Sequence, residues 1–185
     1  MSYAIPVEEL SISKIEAYRK SAKQAMLERA RVKLGVSSME ELTFRELLPA
    51  TDLGVGANGY TNETYLTGAI GVNAWTSVYD TANVPQLPND RGIGFYKITY
   101  EEVAPTITAV RFRVGATGAT TKAVFFVEPF LPIKLTPEVY LSEPIVYDPN
   151  DWVFIECYSR VAIGAAGHHL GFGCFVAEPV GGNVS

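Results

Sequence analysis

Residues 151–179, DWVFIECYSRVAIGAAGHHLGFGCFVAEP, restrict the fold of this chain more than any other stretch. Apolar side chains alternate with polar or small ones on both sides of a central Gly-Ala-Ala-Gly. Since side chains of a β-strand point alternately to the two faces of a sheet, this pattern predicts two long strands. A tight turn at the centre would join them in one hairpin, with Cys157 opposite Cys174 on a nearly apolar face. The sequence therefore predicts an antiparallel sheet.

A second hairpin is predicted over residues 107–128. Folding the chain about its Gly-rich turn places Phe112 opposite Val124 and Val110 opposite Phe126, which again gives one apolar face. Further strands are predicted at 65–72, 74–79, 94–100 and 139–147.

The positions and numbers of proline, glycine and aromatic residues also favour a β fold. Pro144 interrupts the last of these strands and indicates an edge position or a bulge. Sixteen Gly, eleven Pro, ten Tyr and nine Phe residues favour strands and turns over a helical bundle. We therefore expect a mainly β protein, with an antiparallel β-sandwich or jelly-roll-like body over residues 51–185.

Residues 7–34 hold the one long helical pattern in the sequence. Ser13 and Glu16 fit a capping box, and Gly35 is a suitable end. The apolar stripe is thin and rich in alanine, so it suits packing against another chain or against the protein's own sheet. Two further capping signals and Pro49 predict a second short helix within 36–50. We interpret residues 1–50 as a helical arm and linker.

The charge of the chain is divided unevenly. Residues 1–35 hold seven Lys and Arg and four Asp and Glu, 7 − 4 = +3, whereas residues 36–185 hold 8 − 16 = −8, for a net charge of −5. A basic segment on an acidic body suits docking onto an acidic partner, and we favour protein over nucleic acid. The alternative is a solvated helix face. The residues that we predict to bind a partner are basic or aromatic: Lys14, Tyr18, Arg19, Lys23, Arg29, Arg31, Tyr60 and Tyr65.

Motifs for catalysis or metal binding give no consistent site. His168 and His169 would point to opposite faces of a strand, and the His-x-His spacing of cupin-like enzymes is absent. Asp148, Asn150 and Asp151 are explained by a turn better than by calcium. The Gly-rich stretch that begins at residue 52 lacks the Gly-Lys-Ser/Thr ending of a phosphate-binding loop. We therefore expect no enzyme activity, no cofactor and no metal, although an enzyme with an unrecognised site stays an alternative.

The two cysteines and the chain's hydropathy bear on its compartment. Because two cysteines form no framework, we favour reduced, buried thiols. No run approaches the roughly 18 apolar residues of a membrane span. The first residues also lack the order of charges and apolar residues of a signal peptide, so we expect neither a membrane span nor secretion.

Taken together, three features resemble the jelly-roll-type cement or decoration proteins of tailed phages and related viruses. They are the basic helical arm, the linker ending Leu47-Leu48-Pro49-Ala50-Thr51-Asp52, and the β body punctuated by Gly and Pro. The resemblance implies a virion structural protein, made in the host cytoplasm, that forms a homo-oligomer and binds the major capsid protein. The alternative is a carbohydrate- or receptor-binding β-sandwich with stacking platforms at Trp75, Tyr60, Tyr65 or Tyr79.

Overall fold

The computed structural model describes the chain in ten segments, namely residues 4–6, 11–48, 52–53, 64–66, 70–77, 85–100, 107–117, 120–127, 138–162 and 169–181. Within them lie helix α1 (Ile12–Leu34), a 3-10 turn (Met39–Glu41) and strands β1 to β10. The strands are β1 (Ala4–Pro6), β2 (Leu42–Glu46), β3 (Thr64–Leu66), β4 (Ala74–Ser77), β5 (Gly92–Tyr100), β6 (Ile107–Val114), β7 (Thr120–Phe126), β8 (Glu138–Tyr147), β9 (Val153–Ser159) and β10 (His169–Pro179).

The strands form two antiparallel sheets. One sheet has the order β1-β8-β5-β10-β2, and β3 also pairs with β10. The other has the order β4-β9-β6-β7. The mainly β sandwich with an N-terminal helix is therefore confirmed.

The main core lies between the two sheets. Phe95 of the first sheet is 5.3 Å from Phe112 of the second, measured between ring centroids, and Phe112 is 5.9 Å from Phe172. All three rings are fully buried, and burial of each such side chain stabilises the fold by roughly 1.5–3 kcal/mol. These rings hold the two layers together.

Helix α1 covers the opposite face of the larger sheet. Ala22, Met26 and Ala30 are buried against Tyr96 and Phe175. The thin alanine-rich stripe explains this position, because small side chains let a helix lie close to large aromatic rings. The helix begins at Ser11, whose hydroxyl accepts the Lys14 N–H, and not at the predicted Ser13. It ends as predicted at Gly35, which has a φ of 70°.

The second helix predicted within 36–50 is wrong. The chain makes only the 3-10 turn, capped by Ser38, and then enters strand β2. Strand β2 pairs with β10, and Phe44 packs on Phe175 with ring centroids 4.5 Å apart. Pairing with the sheet outweighs the local helix signals here, because those signals are worth only about 1 kcal/mol each.

The predicted hairpin over residues 151–179 is also wrong, although its two strands are correct. Strand β9 pairs with β4 and β6 in one sheet, whereas β10 pairs with β2, β3 and β5 in the other. Cys157 and Cys174 both face the core between the sheets and are free thiols. Alternation identified the apolar faces, but those faces meet across the sandwich instead of lying side by side.

The hairpin of β6 and β7 is confirmed, but its register differs by one residue. Phe112 pairs with Ala123 and Val110 pairs with Phe125, so Phe125 is buried and Phe126 is 70% exposed. The Gly-rich turn does not set the register alone, because a bulge follows between Phe112 and Arg113. A shift of one residue moves each side chain to the other face of a strand.

The remaining predicted strands agree with the structure to different extents. The strands at 94–100 and 139–147 are confirmed by β5 and β8, and the pairing of β5 with β8 shifts around Pro144, as a bulge would. The strand predicted at 65–72 is present only as Thr64–Leu66, and residues 67–69 lie outside the described part. The strand at 74–79 is described as far as Ser77. No helix in the described part is both long and apolar enough to cross a membrane.

Candidate functional site

Four of the predicted partner-binding residues of α1 lie along the seam between the helix and the larger sheet or the turn that follows β8. The Tyr18 hydroxyl donates to the Leu141 carbonyl, and the Tyr18 ring meets Tyr140 edge to face at 5.5 Å. Burial, together with the negative charge of Glu143, raises the pKa of Tyr18. Tyr18 therefore anchors the helix to the larger sheet.

Three basic side chains of this set also contact the protein itself. The Arg19 guanidinium lies 5.6 Å from the centre of the Tyr96 ring, and the Lys23 ammonium lies 4.4 Å from that of Phe44. Arg29 donates two hydrogen bonds to Asp148, at 2.6 and 2.9 Å. These cations hold the helix on the sheet and on the turn at 148–151.

The other four predicted residues do not join them in one site. Lys14 is exposed near the start of α1, and Arg31 donates to the Ser37 carbonyl at 3.5 Å. Tyr65 lies in β3, whose side chains are outside the described part, as is the whole of Tyr60. The structure therefore gathers Tyr18, Arg19, Lys23 and Arg29 at the helix seam and separates Lys14 and Arg31 from it.

The acidic turn at 148–151 is enclosed by cations. Asp148 accepts from Arg29 and lies 3.3 Å from the Lys33 ammonium, while Lys122 lies 3.7 Å from Asp151. The hydrogen bond from Arg29 is the main cause that lowers the pKa of Asp148. Among the described residues, no three His, Cys, Asp or Glu side chains lie close enough to hold a metal ion. The turn predicted for these residues is confirmed.

A second charged cluster is buried at the edge of the larger sheet. Asp52 accepts from Arg45 at 2.6 and 2.7 Å, from Arg91 at 2.8 Å and from the Leu48 N–H at 2.7 Å. Arg45 also donates to Glu178 at 2.9 Å. Burial raises the pKa of Asp52, but the hydrogen bonds from Arg45, Leu48 and Arg91 outweigh it, and the pKa lies below its usual value. This cluster of ion pairs fastens β2, β10 and the residue before β5 together.

The outer face of the four-stranded sheet carries an open groove of about 300 Å³. All four strands contribute to it near one end of the sheet. Its lining residues are Trp75, Thr108, Ala109, Phe126, Tyr158 and Arg160.

Exposed apolar side chains surround the same end of the sheet. Phe126 is 70% exposed, and Val72 and Val161 beside β9 are 53% and 49% exposed. Val72 bridges to Ser159, which places both valines near the end of β9. Grouped exposed apolar residues of this kind mark interaction surfaces more often than scattered ones do.

Two arginines and a glutamate lie beside the groove on the same outer face and form an arginine ladder. The Arg111 guanidinium lies 4.3 Å from the centre of the Trp75 ring, and Trp75 lies 5.5 Å from Tyr158. Arg111 and Arg113 both bind Glu156, at 2.6 and 3.2 Å. Glu156, on the neighbouring strand β9, thus binds both arginines. The arrangement also fixes the orientation of the Trp75 ring.

Glu156 is the buried centre of that ladder. Burial works to raise its pKa, but hydrogen bonds from Arg111 and Arg113 outweigh that effect and lower it. Two guanidinium groups thus share one carboxylate. The groove combines fixed aromatic rings with arginine, which is the composition of residues that contribute most to binding in protein interfaces.

Sequence reasoning found this site only in part. Trp75 is identified there as a stacking platform, and Tyr158 lies on the outward face that alternation predicts. Phe126 is missed, because the predicted register, which differs from the observed one by one residue, places it in the core.

Comparison of the chain with protein-family models, with curated proteins and with solved structures finds no match.

Proposed function

We propose that this protein is a structural protein of a virion, a capsid cement or decoration subunit that binds neighbouring capsid subunits through the groove. The observation that carries the proposal is the groove itself, where Trp75, Tyr158 and the exposed Phe126 line one end of an open sheet face. The resemblance of the sequence to cement proteins supplies the kind of partner.

The physical support comes from how such a surface binds. Trp75 is held in place by Arg111 and Tyr158 before any partner arrives. Binding to a fixed ring costs less conformational entropy than binding to a mobile one. Phe126, exposed in the isolated chain, would become buried under a capsid subunit, and the hydrophobic effect favours that burial.

The experiment measures the melting temperature of capsid shells from the virus that encodes this chain, prepared without it. The purified protein is expected to raise that temperature when it is added to the shells. It is also expected to cosediment with them. Trp75→Ala is expected to reduce both effects, whereas Ile12→Ala, at an exposed position on the far helix, leaves them unchanged. Shells that neither bind the protein nor gain stability would contradict the proposal.

A second candidate, carbohydrate binding, is favoured by the same aromatic wall. The Trp75 and Tyr158 rings, 5.5 Å apart, border a groove of about 300 Å³, a volume at the lower end of small-molecule sites. A glycan array separates the two functions. A cement protein binds no glycan, whereas a lectin-like module binds a defined set and loses it with Trp75→Ala.

A further inference from the structure

Strand β7 is an open edge of the four-stranded sheet. Its one strand neighbour within the described part of the chain is β6. At seven residues it is longer than β4, the four-residue strand at the other edge. An unpaired edge presents backbone N–H and C=O groups that can pair with another strand.

The hydrogen bonds of β6 and β7 show which of these groups face outward. The Val127 N–H donates to the Thr108 carbonyl at 2.9 Å. Since donors alternate along a strand, the N–H groups of Phe125 and Ala123 also point to β6. The N–H and C=O groups of Val124 and Phe126 therefore point away from the sheet.

Within the described residues, this edge lacks the usual protection against pairing. Natural edges are often blocked by a proline or by a projecting lysine. Strand β7 contains no proline, and its one charged residue, Lys122, is held back. The Lys122 ammonium lies 3.7 Å from Asp151 and 5.0 Å from the centre of the Tyr147 ring. The bulge lies at the Lys122 end, so Ala123 to Phe126 stay regular.

We propose that β7 pairs antiparallel with β7 of a second copy of this chain, across a two-fold axis at Phe125. This register places Val124 opposite Phe126 of the second copy, so apolar side chains meet twice on the outer face. It joins the two four-stranded sheets into one and brings the two grooves side by side. The inference deepens the proposed function, and it rests on that function for the role of the dimer.

The charges of the strand fit this partner. In the two-fold register the two Lys122 residues are six positions apart along the pair, or roughly 20 Å, which is more than the Debye length of about 8 Å in physiological salt. Strand β7 carries no acidic residue, although the whole chain has a net charge of −5. Two acidic chains therefore meet at this edge without bringing like charges together.

Sedimentation velocity of the full chain, from micromolar to millimolar concentration, tests the dimer. We expect a monomer–dimer equilibrium that Phe126→Asp weakens by at least about tenfold. The matched control is Val72→Asp, because Val72 is 53% exposed at the other edge of the same sheet. That control should dimerise like the wild type. Phe126 is exposed, so its replacement leaves the folded monomer intact, as circular dichroism will show.

Amide hydrogen exchange by NMR locates the interface. At high concentration the Val124 and Phe126 amides should exchange more slowly than at low concentration, and Val124→Pro should abolish the dimer. A chain that is monomeric throughout overturns the inference. A dimer that survives both Phe126→Asp and Val124→Pro also overturns it. The same holds if the Val124 and Phe126 amides are protected only when capsid shells are present.

The experiments can refute the β7 dimer and the cement function independently of each other. A monomeric chain that still raises the melting temperature of the shells overturns the β7 dimer and leaves the cement function. A β7 dimer that leaves the shells unchanged overturns the cement function and retains the dimer.

Discussion

At the scale of single residues, Asp52 is the carboxylate at the centre of the buried charged cluster. It neutralises Arg91, whose side chain is only 3% exposed, and it also binds Arg45. Asp52→Asn keeps the shape but removes the negative charge that both guanidinium groups bind, and it leaves the buried Arg91 with Asp90, at 3.0 Å, and Glu178, at 3.8 Å. We expect the free energy of unfolding to fall by about 3 kcal/mol or more, measured by urea denaturation.

The matched control is an ion pair on the surface. Glu46 lies 3.6 Å from Arg19, and both side chains are about half exposed. Glu46→Gln should cost less than about 1 kcal/mol. Equal effects of the two variants would show that the Asp52 cluster is not desolvated as the structure has it.

Gly173 of β10 lies close to two residues of the neighbouring strand β5. A Cβ atom there would come 2.7 Å from Tyr96 Cζ and 2.9 Å from Lys97 Cβ. The Tyr96 ring cannot move away, because it is buried and stacks on Phe175 at 4.4 Å. Gly173→Ala is therefore expected to destabilise the fold by about 1–3 kcal/mol in thermal or chemical unfolding.

Gly71 is the control for that substitution. A Cβ atom at Gly71 meets only the Ala74 Cβ, at 3.6 Å, which is ordinary contact. A loss of stability for Gly71→Ala as large as for Gly173→Ala would point to a general effect of replacing glycine.

The two cysteines should be unreactive in the folded protein. Burial raises the pKa of Cys157 to about 12, and Cys174 is buried in the same core. Because the thiolate is the reactive form, neither thiol should react with Ellman's reagent at neutral pH until the protein is unfolded. Rapid release of the reagent's chromophore by the native protein would contradict the buried position.

At the scale of elements, the alternation of apolar and polar residues predicts which face of a strand is buried. It predicts less well which strand lies next to it in the sheet. Val110 and Phe112 face the core, and Arg111 and Arg113 face outward, as the sequence predicts. What alternation does not contain is the partner of a strand. The apolar faces of β9 and β10 satisfy the same pattern whether the strands pair side by side or pack across a sandwich.

Register depends on backbone irregularities that the sequence does not mark. The bulge between Phe112 and Arg113 puts Phe125, and not Phe126, in the core. The groove could not be predicted for that reason, since the sequence places one of its lining residues in the core.

The helix seam is a different case. The sequence predicts the thin stripe of α1 and leaves open whether a sheet or another chain covers it.

Met26→Ala distinguishes an integral helix from a detachable arm. Met26 is 1% exposed, and its sulfur lies so close to Gly94 that a Cβ there would approach it to 2.9 Å. If α1 is part of the folded body, the substitution should lower the free energy of unfolding by about 2–5 kcal/mol.

The control for that prediction is Ile12→Ala, at a position that is exposed at the start of the same helix. It should change stability by less than about 0.5 kcal/mol. A Met26→Ala variant as stable as this control would mean that the helix contributes nothing to the fold of the body, as expected of an arm.

At the scale of the whole molecule, three carboxylates join elements that are far apart in the sequence. Asp148 connects the turn after β8 to helix α1, Asp52 connects β2 to β5, and Glu156 connects β9 to β6. In each case arginine hydrogen bonds offset the cost of burial, and the pKa lies below its usual value. The stability of the three-layer assembly should therefore depend on pH.

The direction of that dependence follows from proton uptake. Because these folded-state pKa values lie below those of the unfolded chain, about 3.9 for Asp and 4.3 for Glu, the unfolded state binds more protons in acid. The stabilisation is complete above those values and is lost as the pH falls through the folded-state pKa values. Urea midpoints should change little from about pH 6 to about pH 5 and then fall towards about pH 3, and Asp52→Asn should flatten that fall by removing one titrating group. A midpoint that stays constant or rises as the pH falls from about 5 to about 3 would mean that the three arginine-bound carboxylates do not stabilise the fold.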